Sequence, residues 1–189
     1  VTENLNGEVK LKAKDISAQS LPHDLTSRLR ASVLLVGPIL ARTGSIEFYH
    51  PGGDIIGKRS IDTHLQGFKT LGFEFEREDK KYIGKRTRVV DTDVSIFLDE
   101  PSVTATENLI LASVLGKGTN TLKNCALEPH VVDLCNLLNK MGAEIRGVGS
   151  TTLVITGQER LNGAKFRISQ DFVEIGTYAV AAAITKGSL

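Results

Sequence analysis

The chain has no tryptophan, and aromatic residues make up only 5% of its 189 positions. Proteins that hold single-stranded nucleic acid stack bases on aromatic rings, and this chain has few rings to offer. Charge of one sign is also missing: 23 Lys and Arg stand against 22 Asp and Glu, a formal net charge of +1. Nucleic acid and acidic membrane surfaces select basic faces, so neither is expected as a partner. No apolar run approaches the ~20 residues that cross a bilayer. Val1 to Lys10 is mixed and polar, without the pattern of a secretory signal. Two cysteines, Cys125 and Cys135, are too few for a disulfide framework. Cys125 ends a predicted strand and Cys135 reads as a small core residue of an amphipathic helix. A reduced, cytoplasmic location is expected. Four scattered histidines make no zinc-ligand cluster, and no metal is expected.

What is present is a hydrophobic fraction of 41%, enough for one domain with a real core or for two small ones. The chain also repeats itself. One copy has a helical pattern from Leu29 to Arg42, a turn at Thr43-Gly44 and a strand from Ser45 to Tyr49. A helix follows from about Ile61 to Leu71, with Leu65, Phe68 and Leu71 at helical spacing. Gly72 caps it, and strands near Phe73 to Arg77 and Lys81 to Ile83 close the unit. The second copy has a helix from Ala105 to Leu115, a turn at Lys117-Gly118 and a strand from Thr119 to Asn124. A helix from Val131 to Met141, a cap at Gly142, and strands Glu144 to Arg146 and Thr151 to Ile155 complete it. A third, shortened copy is the helix from Glu174 to Thr185. The turn glycines Gly44, Gly118 and Gly187 stand 74 and 69 residues apart, and the caps Gly72 and Gly142 stand 70 apart. A period near 70 residues marks a repeat architecture.

The opening helix of each copy is apolar nearly all round, which predicts burial. The expected fold class is therefore α/β, with helices inside and sheets outside, arranged about an axis. Residues 1–189 read as one domain whose first and last units are incomplete. The first of these is expected to supply only the closing hairpin of its unit, with a strand at Val9 to Lys14, and the chain reads as a piece of a longer protein.

Between the first strand and its helix lies His50-Pro51-Gly52-Gly53-Asp54-Ile55-Ile56-Gly57-Lys58-Arg59. Glycine reaches backbone angles closed to other residues, so such a loop can approach a ligand closely. Lys58 and Arg59 would grip an anion beside the N-terminus of the following helix. Asp54, a carboxylate beside cations and exposed backbone, has the makings of an acid/base site. The same composition also describes an ordinary Gly-rich surface loop.

The segments Arg30-Ala31-Ser32, Pro51-Gly52-Gly53-x-Ile55-Ile56-Gly57-x-Arg59, Asp62-x-His64-Leu65, Pro101-Ser102-Val103-x-Ala105-Thr106-Glu107-Asn108, Glu128-Pro129-x-Val131-Val132-Asp133 and Glu174-x-Gly176-Thr177 occur in this order. Together they resemble the UDP-N-acetylglucosamine enolpyruvyl transferases. The resemblance covers nearly the whole chain and one domain of a two-domain enzyme. It implies an inside-out α/β barrel of βαβαββ units, in agreement with the repeat. It implies transfer of the enolpyruvyl group of phosphoenolpyruvate to the 3-hydroxyl of UDP-N-acetylglucosamine, with release of phosphate and no cofactor. The implied partners are those two substrates and the second domain of the same enzyme. Because such a site forms between two domains, this chain alone is expected to be inactive.

The resemblance also assigns residues. Asp54 matches the general acid at the tip of a mobile loop, where most members carry a cysteine that fosfomycin alkylates. To donate a proton near neutral pH, a carboxyl there must lose water as the loop closes. Arg59 and Arg30 match arginines that contact phosphoenolpyruvate or the sugar nucleotide, a task suited to a planar fork. Ser60, Ile61, Asp62 and Thr63 match the segment that cradles uracil and ribose, with Ser60 and Thr63 replacing a usual proline and leucine. Ser102, Val103 and Thr104 match the turn that receives the diphosphate. Thr104 replaces a common glycine there, and Glu100 stands where some members have lysine. Glu100 is a poor diphosphate ligand and is expected to point away or to be offset. His64, Glu128, Asp133, Asp171 and Glu174 read as charges and caps at helix starts. A transferase acting on shikimate 3-phosphate, and a binding module without catalysis, remain as alternatives. The glycine loop argues against the former and Asp54 against the latter.

Overall fold

The repeat in the sequence is a repeat in space. The computed structural model describes residues 2–5, 8–13, 15–16, 20–54, 57 and 59–188. Lys14, Ile55, Ile56 and Lys58, which figure in the sequence reading, lie outside the described residues. Strands β1 (Thr2–Leu5) and β2 (Glu8–Leu11) form an antiparallel hairpin. After them come a one-turn helix α1 (His23–Thr26), a 3-10 segment (Arg30–Leu35) and helix α2 (Val36–Thr43). The first unit then runs β3 (Ser45–Tyr49), α3 (Asp62–Thr70), β4 (Phe73–Glu78) and β5 (Lys81–Arg86). The second runs β6 (Val94–Phe97), α4 (Val103–Ser113), β7 (Thr119–Lys123), α5 (Pro129–Lys140), β8 (Glu144–Arg146) and β9 (Thr152–Thr156). Helix α6 (Phe172–Thr185) follows.

The two units share one topology. The first sheet is ordered β3-β5-β4 and the second β7-β9-β8, antiparallel in both. The second has β6 added parallel to β7, and a single parallel bridge from Ser20 to Glu47 holds the same place beside β3. Gly44, Gly72, Gly118 and Gly142 have φ between 72° and 100°, the left-handed angles that glycine takes at least cost.

Helix α4 is the centre of the core. Ala105, Leu109 and Ile110 are fully buried, and polar Thr106 and Asn108 are buried with them. Helix α2 crosses it closely because residue 37 is glycine: a β-carbon there would stand 2.4 Å from the Asn108 carbonyl oxygen. Phe48, Phe68 and Tyr82 fill the space under the first sheet, Leu122, Leu153 and Ile155 the space under the second.

Some expectations are corrected. The helix expected over Leu29 to Arg42 is a 3-10 segment continued by α2. α4 starts two residues earlier than expected, and α5 starts at Pro129, a residue suited to the first helical position. β6 was not anticipated. α6 was expected to be buried, and no residue of it is. Burial needs an opposing surface, and among the described residues the ring contact α6 makes is Phe172 stacked on His130 at 6.1 Å.

Candidate active site

The glycine loop leaves β3 and is seated at once. The Gly52 N–H donates to the Thr26 carbonyl at 2.9 Å. Gly53 has φ +100°, and a β-carbon there would meet Arg30 Cβ at 3.1 Å. Asp54 follows and is exposed. At the loop's far end, Arg30 Nη1 donates to the Arg59 carbonyl at 3.1 Å and Nη2 to the Ser60 carbonyl at 2.9 Å. Arg30, the first residue of the 3-10 segment, therefore touches both ends of the loop and closes it.

Arg30 and Arg59 gather positive charge here, with Glu100 beside them. Burial, then the neighbouring Arg59 charge, hold the Arg30 guanidinium below its ordinary pKa, partly offset by Glu100. His50 is likewise held down, by burial first and then by Arg30 and Arg77. Arg30 Nε is buried and has no hydrogen-bond partner among the described residues. A spare buried N–H on Arg30 and the neighbouring Arg59 charge would favour a carboxylate or phosphate oxygen here. Arg59 itself is exposed.

The next element supplies a second edge. The Ser60 hydroxyl accepts from the Asp62 N–H at 3.0 Å and turns the chain into α3. Ile61 is 2% exposed and anchors that turn in the core. Of the expected uracil segment, Ile61 can thus offer a ligand only its backbone. The Thr63 hydroxyl approaches Glu100 Oε1 at 3.5 Å. Glu100 does not point away: Thr63 and Arg30 offset it.

The start of α4 completes the rim. The Ser102 hydroxyl accepts from the Ala105 N–H at 3.3 Å, and the Ser102 N–H donates to the Glu100 carbonyl at 2.7 Å. Val103 and Thr104 occupy the first helical positions, whose N–H groups have no partner within a helix. Those N–H groups and the helix dipole favour an anion. The structure brings Arg30, Arg59, Ser60 and Thr63 together. Thr104 joins them through His64, whose Nε2 lies 3.1 Å from the Thr104 hydroxyl oxygen.

His64 and Asn108 stand in the matched segments, but the sequence reading assigns neither to the site. His64 read as a charge at a helix start, yet it is 2% exposed, and burial, with Arg30 second, pushes its pKa down to about 4. The available signal was Asn108, a lone amide in a helix apolar on every side. Glu128 was expected to cap α5, but its side chain makes no capping bond and its Oε2 is buried without a partner among the described residues. Asp171 does cap α6, accepting from the N–H groups of Val173 and Glu174. Asp133 pins Ser169 through both N–H and hydroxyl. Cys125 lies just past β7, and both cysteines are buried with thiols pushed up to about 11 by burial. A cleft of about 550 Å³ lined by Arg86, Arg88, Ser113 and Lys117 lies at the opposite end of α4 and holds none of the candidate residues. Among the described residues no group of three or more His, Cys, Asp and Glu could hold a metal ion, and no helix is long and apolar enough to cross a membrane.

The model of the family EPSP synthase (3-phosphoshikimate 1-carboxyvinyltransferase) matches residues 1–189. The UDP-N-acetylglucosamine 1-carboxyvinyltransferase of Treponema denticola is 47% identical over 95% of this chain and 42% of its own length. That of Borrelia garinii subsp. bavariensis is 46% identical over 96% of this chain and 42% of its own length. The chain thus spans less than half the length of these curated relatives. Among solved structures, the enolpyruvyl transferase NikO from Streptomyces tendae superposes with a TM-score of 0.77 at 22% identity, covering 96% of this chain and 43% of that one. An EPSP synthase from Acinetobacter baumannii superposes with a TM-score of 0.60 at 16% identity, over 82% of this chain and 35% of that one. Both show the fold.

Proposed function

The chain belongs to the EPSP synthase family of enolpyruvyl transferases, and from that premise we propose that it forms one domain of a cytoplasmic UDP-N-acetylglucosamine 1-carboxyvinyltransferase. In this reading residues 1–189 are that domain, and the site is completed by residues outside it. The reaction joins the sugar 3-hydroxyl oxygen, as its proton passes to a base, to C2 of phosphoenolpyruvate while C3 takes a proton; one proton of the resulting methyl group and phosphate then leave, giving the enolpyruvyl ether. It would be the first committed step of peptidoglycan synthesis. Relatives at 42–47% identity bearing that name support it. The shikimate 3-phosphate enzyme is less well supported, since the EPSP synthase compared above is 16% identical.

The observation that carries this reading is Arg30 closing the glycine loop, with Asp54 on its exposed span and Arg59 at its end. Phosphoenolpyruvate has a carboxylate and a phosphate; Arg59 would supply a fork for one, and Arg30 its charge and its spare Nε–H for the other. Asp54, on the loop's exposed span, would deliver the proton to the enol carbon, and to do so it must be desolvated by loop closure. The α4 start, with Ser102, Val103 and Thr104, is suited to a diphosphate. Ser60, Ile61, Asp62 and Thr63 would follow the uridine, Ile61 by backbone alone. Nothing in this reading calls for a cofactor. Phosphate release by the full-length protein, measured with each acceptor in turn, tests it. UDP-N-acetylglucosamine should support turnover, and turnover with shikimate 3-phosphate instead would overturn the reading.

A further inference from the structure

We propose that His64 is a positioning residue that, held by Asn108, fixes the Thr104 hydroxyl as a hydrogen-bond donor to the diphosphate of the sugar nucleotide. This deepens the reading of the α4 start as the diphosphate site and rests on it. The chain of bonds has one consistent direction. The Gly37 N–H donates to Asn108 Oδ1 at 2.8 Å, so the amide oxygen faces α2. Asn108 Nδ2 then faces the other way and donates to the Val33 carbonyl at 2.9 Å. Its second hydrogen points to His64 Nδ1 at 3.1 Å. An amide nitrogen accepts nothing, so His64 Nδ1 must be the acceptor.

The ring proton therefore sits on Nε2, 3.1 Å from the Thr104 oxygen, and His64 donates to it. A second proton on His64 would set N–H against N–H at Asn108, and burial already disfavours the charged ring. With its oxygen accepting from His64, the Thr104 hydroxyl has one hydrogen left. Among the described residues no acceptor takes it. Thr104 is half-buried at the second helical position of α4, so that hydrogen is available at the rim where an anion would sit. Accepting from His64 uses one of the oxygen's two lone pairs and turns its own hydrogen away from the ring. A bound diphosphate oxygen accepts only, so a hydrogen already aimed away from His64 favours an anion before it arrives.

The test is titration of UDP and of uridine into the full-length protein and its variants. Thr104→Val keeps shape and removes the donor, and should weaken UDP by at least ~10-fold, as for a hydrogen bond to a charged group, while uridine is unaffected. Thr104→Ser should recover most of the UDP affinity. His64→Leu should weaken UDP ~3- to 10-fold and add nothing in a Thr104→Val background, because both act through one bond. His64→Gln, which can accept from Asn108 and still donate to Thr104, should restore part of the loss. Equal losses for UDP and uridine, unchanged UDP affinity in Thr104→Val, or additive effects of the two substitutions would overturn the inference. A protein that binds UDP but consumes no phosphoenolpyruvate would sink the proposed activity alone, leaving these affinities to judge Thr104. A protein that does not bind UDP would overturn both.

Discussion

Gly52 lies so close to Ser27 that a β-carbon at position 52 would stand 1.7 Å from the Ser27 carbonyl oxygen. The obstacle is backbone, which cannot rotate away as a side chain can. The seat of the glycine loop thus depends on the absence of a single carbon. Gly52→Ala should destabilise the fold by about 1–3 kcal/mol, the range for overpacking, and displace the loop. Gly163→Ala is the control, since a β-carbon there meets nothing within 4 Å. Thermal unfolding of the two variants checks this. Equal midpoints would show that the loop has another way to seat.

Arg30 is expected to resist conservative replacement. Its two terminal nitrogens hold the carbonyls of Arg59 and Ser60 at once. Lysine is a point donor and cannot span both. Arg30→Lys should cost about 1–2 kcal/mol of loop stability, part of the worth of a charged hydrogen bond at a half-exposed position. Limited proteolysis should cut the variant faster near Gly57. Unchanged cleavage would mean that the loop is held elsewhere.

Asp54 separates acid catalysis from thiol chemistry. In the full-length protein Asp54→Asn should keep sugar-nucleotide binding and lower turnover by at least ~10²-fold, the lower range for a lost general acid. Asp54→Cys should stay active and become sensitive to fosfomycin, because a thiolate opens an epoxide far faster than a carboxylate does. Cys125 and Cys135 should not substitute: both are buried and their thiols are pushed up to about 11. Mass spectrometry after incubation with the drug decides, and an adduct on the parent protein would contradict this placement of the site.

His64 should also leave a mark on stability against pH. Its pKa is about 4 in the fold against 6.5 when free. Above pH 6.5 neither state holds the proton and the histidine adds no pH dependence. Between 6.5 and 4 only the unfolded chain binds it, so stability falls as the pH falls. Below about 4 both states bind it and the effect levels off. The total is roughly 3 kcal/mol. Denaturant titrations of the parent and His64→Gln should diverge across that window, the variant being flatter. Parallel curves would show that the fold leaves the His64 pKa unshifted.

The sequence by itself determined the repeat. Ser45–Tyr49 is a strand as expected, Gly72 and Gly142 turn the chain where a helix must end, and the two units pair their strands in one order. These features are local: apolar spacing sets the period of each element, and glycine sets the angles between them. The sequence also marked the loop with Arg59 at its end, and the family resemblance marked Arg30. Only the tertiary structure decided that Arg30 closes the loop across 29 and 30 positions. It alone joined His64 to Asn108, 44 positions away, and Ile61 to the core rather than to a ligand. It also left α6 exposed, although its composition is that of a core helix. A hydrogen bond between distant residues depends on how separate elements pack, and a helix is buried only where something covers it. Neither condition is written in the residues that make the contact.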